Sequence, residues 1–154
     1  MFPTGQGKLH LAGIRDLFHH GIGGWDTSDT QDTVLAVSAS TMALTRTGPS
    51  EDVVHHADHG SQCTSFGFAV AAGNANVRLS FGSVGDAYDN AAIELFWARL
   101  TVEIAWIRGS IWFAIRAYLF QFIEVFYNRQ RHHAGLDHLT SAEYLERWRR
   151  ASET

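Results

Sequence analysis

The order of apolar segments is the sequence feature that most constrains the fold of this chain. We predict strands over residues 9–16, 18–25, 53–58 and 77–81, and helices from Ser28 or Asp29 to about Thr45 and over 64–72, 87–107, 110–128 and 141–150. Short runs of strand composition therefore alternate with longer runs that carry helical spacing. A strand hairpin followed by alternating helices and strands is the order of an α/β domain.

Length and composition indicate one globular domain. The chain has 154 residues, of which 45% are hydrophobic and 18% charged, enough apolar material for one core. The single cysteine, Cys63, excludes an internal disulfide and predicts a reducing, cytoplasmic location. The most apolar stretch, residues 111–126, is interrupted by Arg116, Gln121 and Glu124, so we predict a buried helix and no membrane segment.

Charge is unevenly distributed along the chain. The formal net charge is −4, and residues 1–60 hold three Lys or Arg against seven Asp or Glu. Five arginines cluster late in the chain: Arg129, Arg131, Arg147, Arg149 and Arg150. A basic face can exist on a protein whose total charge is negative, so the charge balance weakens a DNA-binding interpretation without excluding it.

Two carboxylates, Asp58 and Glu94, are the candidates for chemistry. Asp58 ends a predicted strand just before Gly60, and strand ends are where open α/β sheets build ligand sites. The structural alternative is that Asp58 caps the turn through the amides of Ser61 or Gln62. Glu94 lies within an apolar predicted helix, and its structural alternative is a solvated surface side chain. The local sequence leaves both alternatives open.

The histidines near Asp58 raise the question of a zinc site. Zinc requires three or four converging nitrogen, sulfur or oxygen ligands. Alternation along a strand sends His55 and His56 to opposite faces, which argues against a shared metal. Cys63 has no evident basic partner, which favours a small buried residue over a nucleophile.

Aromatic and basic groups combine in the segment from Tyr127 to His133. The planar guanidinium of Arg bonds two phosphate oxygens at once, so Arg129 and Arg131 are candidate DNA contacts. A helix C-terminus also favours cations, because they oppose its dipole. The two roles are compatible.

Five motifs together identify a family resemblance that extends from about Leu9 to Trp148. They are Gly24-Trp25, His56-x-Asp58-x-Gly60-Ser61-Gln62, Tyr88-Asp89-Asn90-Ala91-x-x-Glu94, Tyr127-Asn128-x-x-Arg131-x-His133 and Ala142-Glu143-Tyr144. The chain resembles the Asp-Asp-Glu transposases of bacterial insertion sequences, which are similar in their core to retroviral integrase. The resemblance implies a ribonuclease H-like integrase core of α/β class, a mixed sheet flanked by helices, with its first strand largely missing. It implies a catalytic core over residues 1–128 and a basic C-terminal tail over 129–154, whose short helix packs on the core.

The same resemblance implies roles for individual residues. Asp58 and Glu94 would be catalytic carboxylates that hold Mg²⁺, with Mn²⁺ as a substitute. The implied DNA contacts are Asn90, Tyr127, Arg129, Arg131 and His133. The implied partners are the DNA of element ends and target, and either further copies of this chain or an intact transposase.

Departures from the family pattern bear on activity. The family's first Asp is expected upstream of Met1, so these 154 residues hold two of its three carboxylates, and Thr101 stands where the family usually has Lys. We therefore expect the isolated chain to lack strand-transfer activity. One alternative is a nonenzymatic remnant that binds DNA or an intact transposase. Another is an unrelated metal-binding or small-molecule α/β protein.

Overall fold

The computed structural model describes residues 1–48, 52–57, 64–81, 87–107 and 109–153, with the backbone alone for residues 87–92. The strands are β1 (Phe2–Thr4), β2 (Gly7–Arg15), β3 (Ile22–Ser28), β4 (Val54–Ala57), β5 (Arg78–Phe81), β6 (His132–His133) and β7 (Leu139–Thr140). The α-helices are α1 (Thr33–Thr47), α2 (Phe66–Asn74), α3 (Ala87–Glu103), α4 (Trp112–Phe120) and α5 (Ser141–Ser152). This element order confirms the α/β class.

The strands form separate sheets. β2 is the middle strand of a three-stranded antiparallel sheet, with β1 on one side and β3 on the other. β4 and β5 form a parallel pair in which His55 lies opposite Leu79. Within the described ranges, no strand pairing joins these two sheets. The strands before and after helix α1 thus belong to different sheets in the described residues.

The turn after β2 corrects one predicted boundary. We predicted a strand from Phe18, but β3 begins at Ile22. The Asp16 carboxylate accepts the backbone N–H groups of Phe18 at 2.7 Å and His19 at 3.1 Å, and His20 adopts a left-handed φ of 62°. These local hydrogen bonds hold residues 16–20 in a turn, because they offer the backbone an alternative to a strand ladder.

Helix α1 begins later than the sequence predicted. Ser28 is the last residue of β3, and Asp32 is the N-cap, whose side chain accepts the N–H of Leu35 at 3.0 Å. Because Ser28 already lies in the sheet, the helix is capped further along the chain, by Asp32. Asp32 therefore sets the start of the helix that packs on β2 and β3.

The helix predicted over residues 110–128 changes type along its length. α4 ends at Phe120, and residues Gln121–Tyr127 continue it as a π-helix. The predicted helix over 87–107 ends at Glu103 and gives way to a 3₁₀ turn over Ala105–Ile107. None of the described helices is long and apolar enough to cross a membrane.

The main core lies between the three-stranded sheet and helices α3 and α4. Its members are buried side chains from all of these elements and from the π-helix: Leu9, Ile22, Phe96, Leu100, Ile104, Ile107, Ile115, Leu119, Phe122, Ile123 and Tyr127. Phe96 and Tyr127 meet edge to face with ring centroids 5.0 Å apart. This contact ties α3 to the π-helix and fixes the position of both long helical segments on the sheet.

Candidate catalytic cleft and nucleic-acid contacts

A cleft of about 700 Å³ lies against both sheets. One wall is β2 from Leu11 to Arg15, and another is β4 from Val54 to Ala57. Residues of α1 and α2, and Ile93, Glu94 and Trp97 from α3, also line it, as do Gly23 of β3 and Leu79 of β5. The cleft therefore gathers residues from seven elements, as the sites of open α/β sheets do.

Glu94 borders this cleft as an exposed side chain of α3. The same helix is anchored to the core by Phe96 and Leu100, both fully buried. Successive residues of a helix turn by about 100°, so burial of Phe96 directs Glu94 away from the core. The Glu94 carboxylate therefore lies outside the core, at the border of the cleft.

Asp58 lies outside the described residues. The strand that leads to it, β4, ends at the buried Ala57, which pairs with Phe81 of β5. β4 lines the same cleft as Glu94, so the chain reaches position 58 from a wall of that cleft. The approach of the Asp58 and Glu94 carboxylates stays a prediction.

The histidines of β4 lie on opposite faces, as predicted from strand alternation. The His55 ring meets Phe68 of α2 edge to face at 5.2 Å, and burial, followed by the charge of His56, lowers its pKa. His56 Nδ1 lies 3.2 Å from Ser80 Oγ on β5. In the part of the chain that the structure describes, no three His, Cys, Asp or Glu side chains converge to hold a metal.

Asp16 also lines the cleft but has another role. Its carboxylate accepts two backbone N–H groups of the β2–β3 turn, and its second oxygen lies 3.6 Å from His19 Nε2. A carboxylate held by its own turn is a structural group. Asp16 therefore stabilises the β2–β3 turn.

Two of the predicted DNA contacts, Tyr127 and His133, are buried. Their side chains are 1% and 8% exposed, and their rings meet edge to face at 5.6 Å. Burial, then the charges of Arg131 and His20, lowers the pKa of His133 to about 4. Its Nε2 lies 3.4 Å from the hydroxyl of Ser141, which begins α5. Because DNA cannot reach buried rings, we reassign Tyr127 and His133 to positioning the segment between them.

The two arginines of this segment differ in exposure. Arg129 is exposed, whereas Arg131 is partly buried. The Arg131 guanidinium carbon lies 5.0 Å from the Tyr127 ring centroid in a cation–π arrangement. Nη1 of Arg131 is buried and has no hydrogen-bond partner among the described residues. Asn90 lies on α3, with its side chain outside the described part.

Several motif residues hold elements together, which the sequence did not reveal. The side-chain amide of Asn128 bridges the backbone of Ile22: its oxygen accepts the N–H at 2.8 Å, and its nitrogen donates to the carbonyl at 3.0 Å. Gly24 lies so close to α1 that a Cβ there would collide with the carbonyl oxygen of Ala39. These contacts join residues far apart in the chain, and local patterns carry no signal for them.

The comparisons with known proteins identify the class. The family model described as "Integrase core domain" matches residues 1–87. The chain belongs to this integrase core family. In structure, it is similar to the catalytic core domain of BIV integrase, with a TM-score of 0.56, 12% identity, and coverage of 94% of this chain and 97% of that one. At 12% identity this similarity concerns the fold alone. It confirms the predicted ribonuclease H-like fold.

The relatives in sequence are insertion-element proteins. The chain is 32% identical over 146 residues to the "Insertion element IS600 uncharacterized 31 kDa protein" of Shigella sonnei, covering 94% of this chain and 54% of that protein. It is 34% identical over 144 residues to "Transposase InsF for insertion sequence IS3A" of Escherichia coli, covering 92% and 49% respectively. The family prediction from the motifs is confirmed. The chain spans about half the length of these curated relatives.

Proposed function

We propose that this chain is the catalytic core of a DNA transposase that joins DNA strands by phosphoryl transfer. The observation that carries the proposal is the placement of Glu94 on the cleft that β4 borders, in a member of the integrase core family. Strand β4 ends one residue before Asp58, and on this basis we propose Asp58 and Glu94 as the carboxylates of this cleft.

The donor chemistry of the cleft suits a magnesium ion. Asp58 and Glu94 would supply carboxylate oxygens, which Mg²⁺ prefers. The two histidines of β4 lie on opposite faces of the strand, which argues against a metal ion that both of them bind. When bound, Mg²⁺ or Mn²⁺ would stabilise negative charge on the oxygens of a phosphate. The protein's own contribution is to hold Glu94 on a helix fixed by Phe96 and Leu100.

DNA is the proposed partner, bound through Arg129 and Arg131. The Tyr127 ring orients the guanidinium of Arg131, a partly exposed residue. Exposed Arg129 adds a second cation in the same segment. Transposition also requires several protein copies on DNA, so we propose association with further copies or with an intact transposase.

We further propose that the 154-residue chain does not transfer strands by itself. Two carboxylates leave most of the ligands of two metal ions to water and DNA, and a displacement of about 1 Å can reduce a rate by about 100-fold. The test is strand transfer of a pre-cut donor end with Mg²⁺ or Mn²⁺. It compares this chain with a form extended upstream by a first strand and an Asp.

We expect transfer by the extended form alone, and loss of at least about 100-fold on Glu94→Gln. Glu103→Gln, on the same helix in an ion pair with Arg99, is the matched control and should keep the activity. Transfer that survives Glu94→Gln would exclude Glu94 from catalysis. DNA binding with no transfer by either form would favour a nonenzymatic remnant instead.

A further inference from the structure

Three aromatic rings meet where the turn after β2 packs on helix α5. The centroid of the Phe18 ring lies 5.4 Å from that of Tyr144 and 5.4 Å from that of Trp148, edge to face with each. These three residues form the aromatic patch. Phe18 is 46% exposed and Trp148 is 51% exposed. Both rings therefore keep surface that a binding partner can contact, although the cluster also holds α5 to the turn.

Exposed arginines flank the aromatic patch on α5. Arg147 and Arg149 lie on either side of Trp148 in the sequence, and both are exposed. Within the described residues neither of them forms an ion pair, whereas Arg150 pairs with Glu146 at 2.6 Å. Half-exposed rings between uncompensated cations suit a partner that carries both negative charge and flat rings of its own. A nucleic acid strand has these two features.

The aromatic patch adjoins the catalytic cleft. Leu17 lines the cleft, is itself exposed, and directly precedes Phe18 in the chain. Glu94 lines the same cleft. A DNA strand with one phosphate in the cleft can thus pass over Leu17 to reach the rings of Phe18 and Trp148. The inference rests on the proposed function, because DNA is the substrate proposed for the cleft.

We propose that the aromatic patch stacks unpaired bases of a single DNA strand beside the cleft, while Arg147 and Arg149 contact the phosphates of that strand. In a duplex each base is already stacked between its neighbours, so its faces cannot reach Phe18 or Trp148. An unpaired base exposes both faces, and its stacking on an aromatic ring tolerates any sequence. Phosphate contacts position DNA but carry no information about the bases. The rings therefore give the protein a preference for unpaired nucleotides that arginines alone do not supply.

The test measures binding of the full chain to two DNA probes by fluorescence anisotropy, without a metal ion. One probe is an oligothymidine of about 15 nucleotides, within the range of single-strand binding sites, and the other is a duplex of the same length. Trp148→Leu removes the ring and keeps an apolar side chain, whereas Trp148→Phe keeps a ring. The matched control is Trp106→Leu, because Trp106 is 72% exposed and its ring also meets a tyrosine ring, that of Tyr118, edge to face at 5.3 Å.

Trp148→Leu should weaken oligothymidine binding by about tenfold or more and leave duplex binding at the parental affinity. Trp148→Phe and Trp106→Leu should bind both probes as the parent does. A Trp148→Leu protein that binds oligothymidine like the parent, or that loses affinity for both probes equally, would overturn base stacking and leave DNA as the partner. A parent protein that binds neither probe would overturn the proposed DNA partner as well.

A second measurement uses the unaltered protein and so does not depend on how well Trp148→Leu folds. Oligothymidine that carries iodouracil is crosslinked to the protein by ultraviolet light, and the modified residue is located by mass spectrometry. We expect attachment at Trp148 or Phe18, and attachment only at other residues would overturn the proposal. The molecular mass in solution is measured for the parent and Trp148→Leu. If the variant loses both self-association and DNA binding, the aromatic patch contacts a second copy of the chain, and the proposal fails.

Discussion

Trp25 of β3 donates its indole N–H to Oε1 of Glu124 at 2.8 Å, and Arg46 of α1 lies 2.8 Å from the same oxygen. Glu124 belongs to the π-helix, and its side chain is 13% exposed. One carboxylate therefore connects the sheet to helices on both of its faces. The Gly-Trp motif of the sequence is part of this connection, and neither Gly24 nor Trp25 lines the cleft.

Replacement of Glu124 by Ala should destabilise the protein by about 1–3 kcal/mol, because it leaves the Trp25 donor and the Arg46 charge without their partner. Urea denaturation would measure the change in the free energy of unfolding. Glu103→Ala is the control: it removes a more exposed ion pair with Arg99 at 2.7 Å and should cost no more than about 1 kcal/mol. Equal losses in the two variants would contradict the connecting role of Glu124.

Two glycines should respond oppositely to substitution by alanine. A Cβ on Gly24 would collide with Ala39 O and lie 2.5 Å from Ala43 N, so Gly24→Ala forces α1 away from β3. We expect a loss of about 3 kcal/mol. In helix α2, a Cβ on Gly73 meets nothing within 4 Å, so Gly73→Ala should stabilise by about 0.5–1 kcal/mol. Thermal denaturation of both variants tests this contrast, and a Gly24→Ala protein as stable as the parent would refute the close packing.

The free energy of unfolding should fall as pH falls from about 6.5 to 4, in part through His133. Its folded pKa of about 4 lies below the usual histidine pKa of 6.5. Between pH 4 and 6.5 the unfolded state binds more protons than the folded state, so acid favours unfolding. The contribution of His133 to the free energy of unfolding is therefore fully present only above pH 6.5. The size of this contribution is on the order of 2 kcal/mol.

Urea denaturation at several pH values would separate His133 from other titrating groups. His133→Gln should reduce the slope of stability against pH between 4 and 6.5. The adjacent, exposed His132 offers a matched control, and His132→Gln should leave the slope as it is. The interpretation fails if both variants keep the parental slope.

DNA binding should be salt-sensitive and should depend on Arg129 and Arg131. Each phosphate contact contributes a slope of about −0.9 in log K against log salt concentration. Replacement of both arginines by Ala should weaken binding and flatten the slope by up to about 2. Fluorescence anisotropy with duplex DNA at several salt concentrations would measure both effects.

The control for this prediction removes the same charge elsewhere. Lys8 and Arg78 are exposed, and Arg78 is 3.7 Å from Asp52 in a surface ion pair. The Lys8→Ala, Arg78→Ala variant should retain most of the slope. If the two double variants behave alike, total charge and not the Arg129–Arg131 segment governs binding.

The sequence by itself determined the elements whose signals are local. Apolar spacing located the α/β order and most helices to within a few residues, and strand alternation placed His55 and His56 on opposite faces. The motifs indicated the family, because residue patterns of this kind can be recognised without a structure. The sequence also proposed Glu94, which borders the cleft on a helix anchored in the core by Phe96 and Leu100.

Only the tertiary structure decided which motif residues face the core. Tyr127 and His133 resembled DNA contacts in sequence, but packing against Phe96 and Ser141 removes them from solvent. Burial depends on partners that lie tens of residues away, and no local pattern records them. The same reason hid the contact between Trp25 and Glu124 and the cleft that β2 and β4 line, since both arise only when distant segments meet.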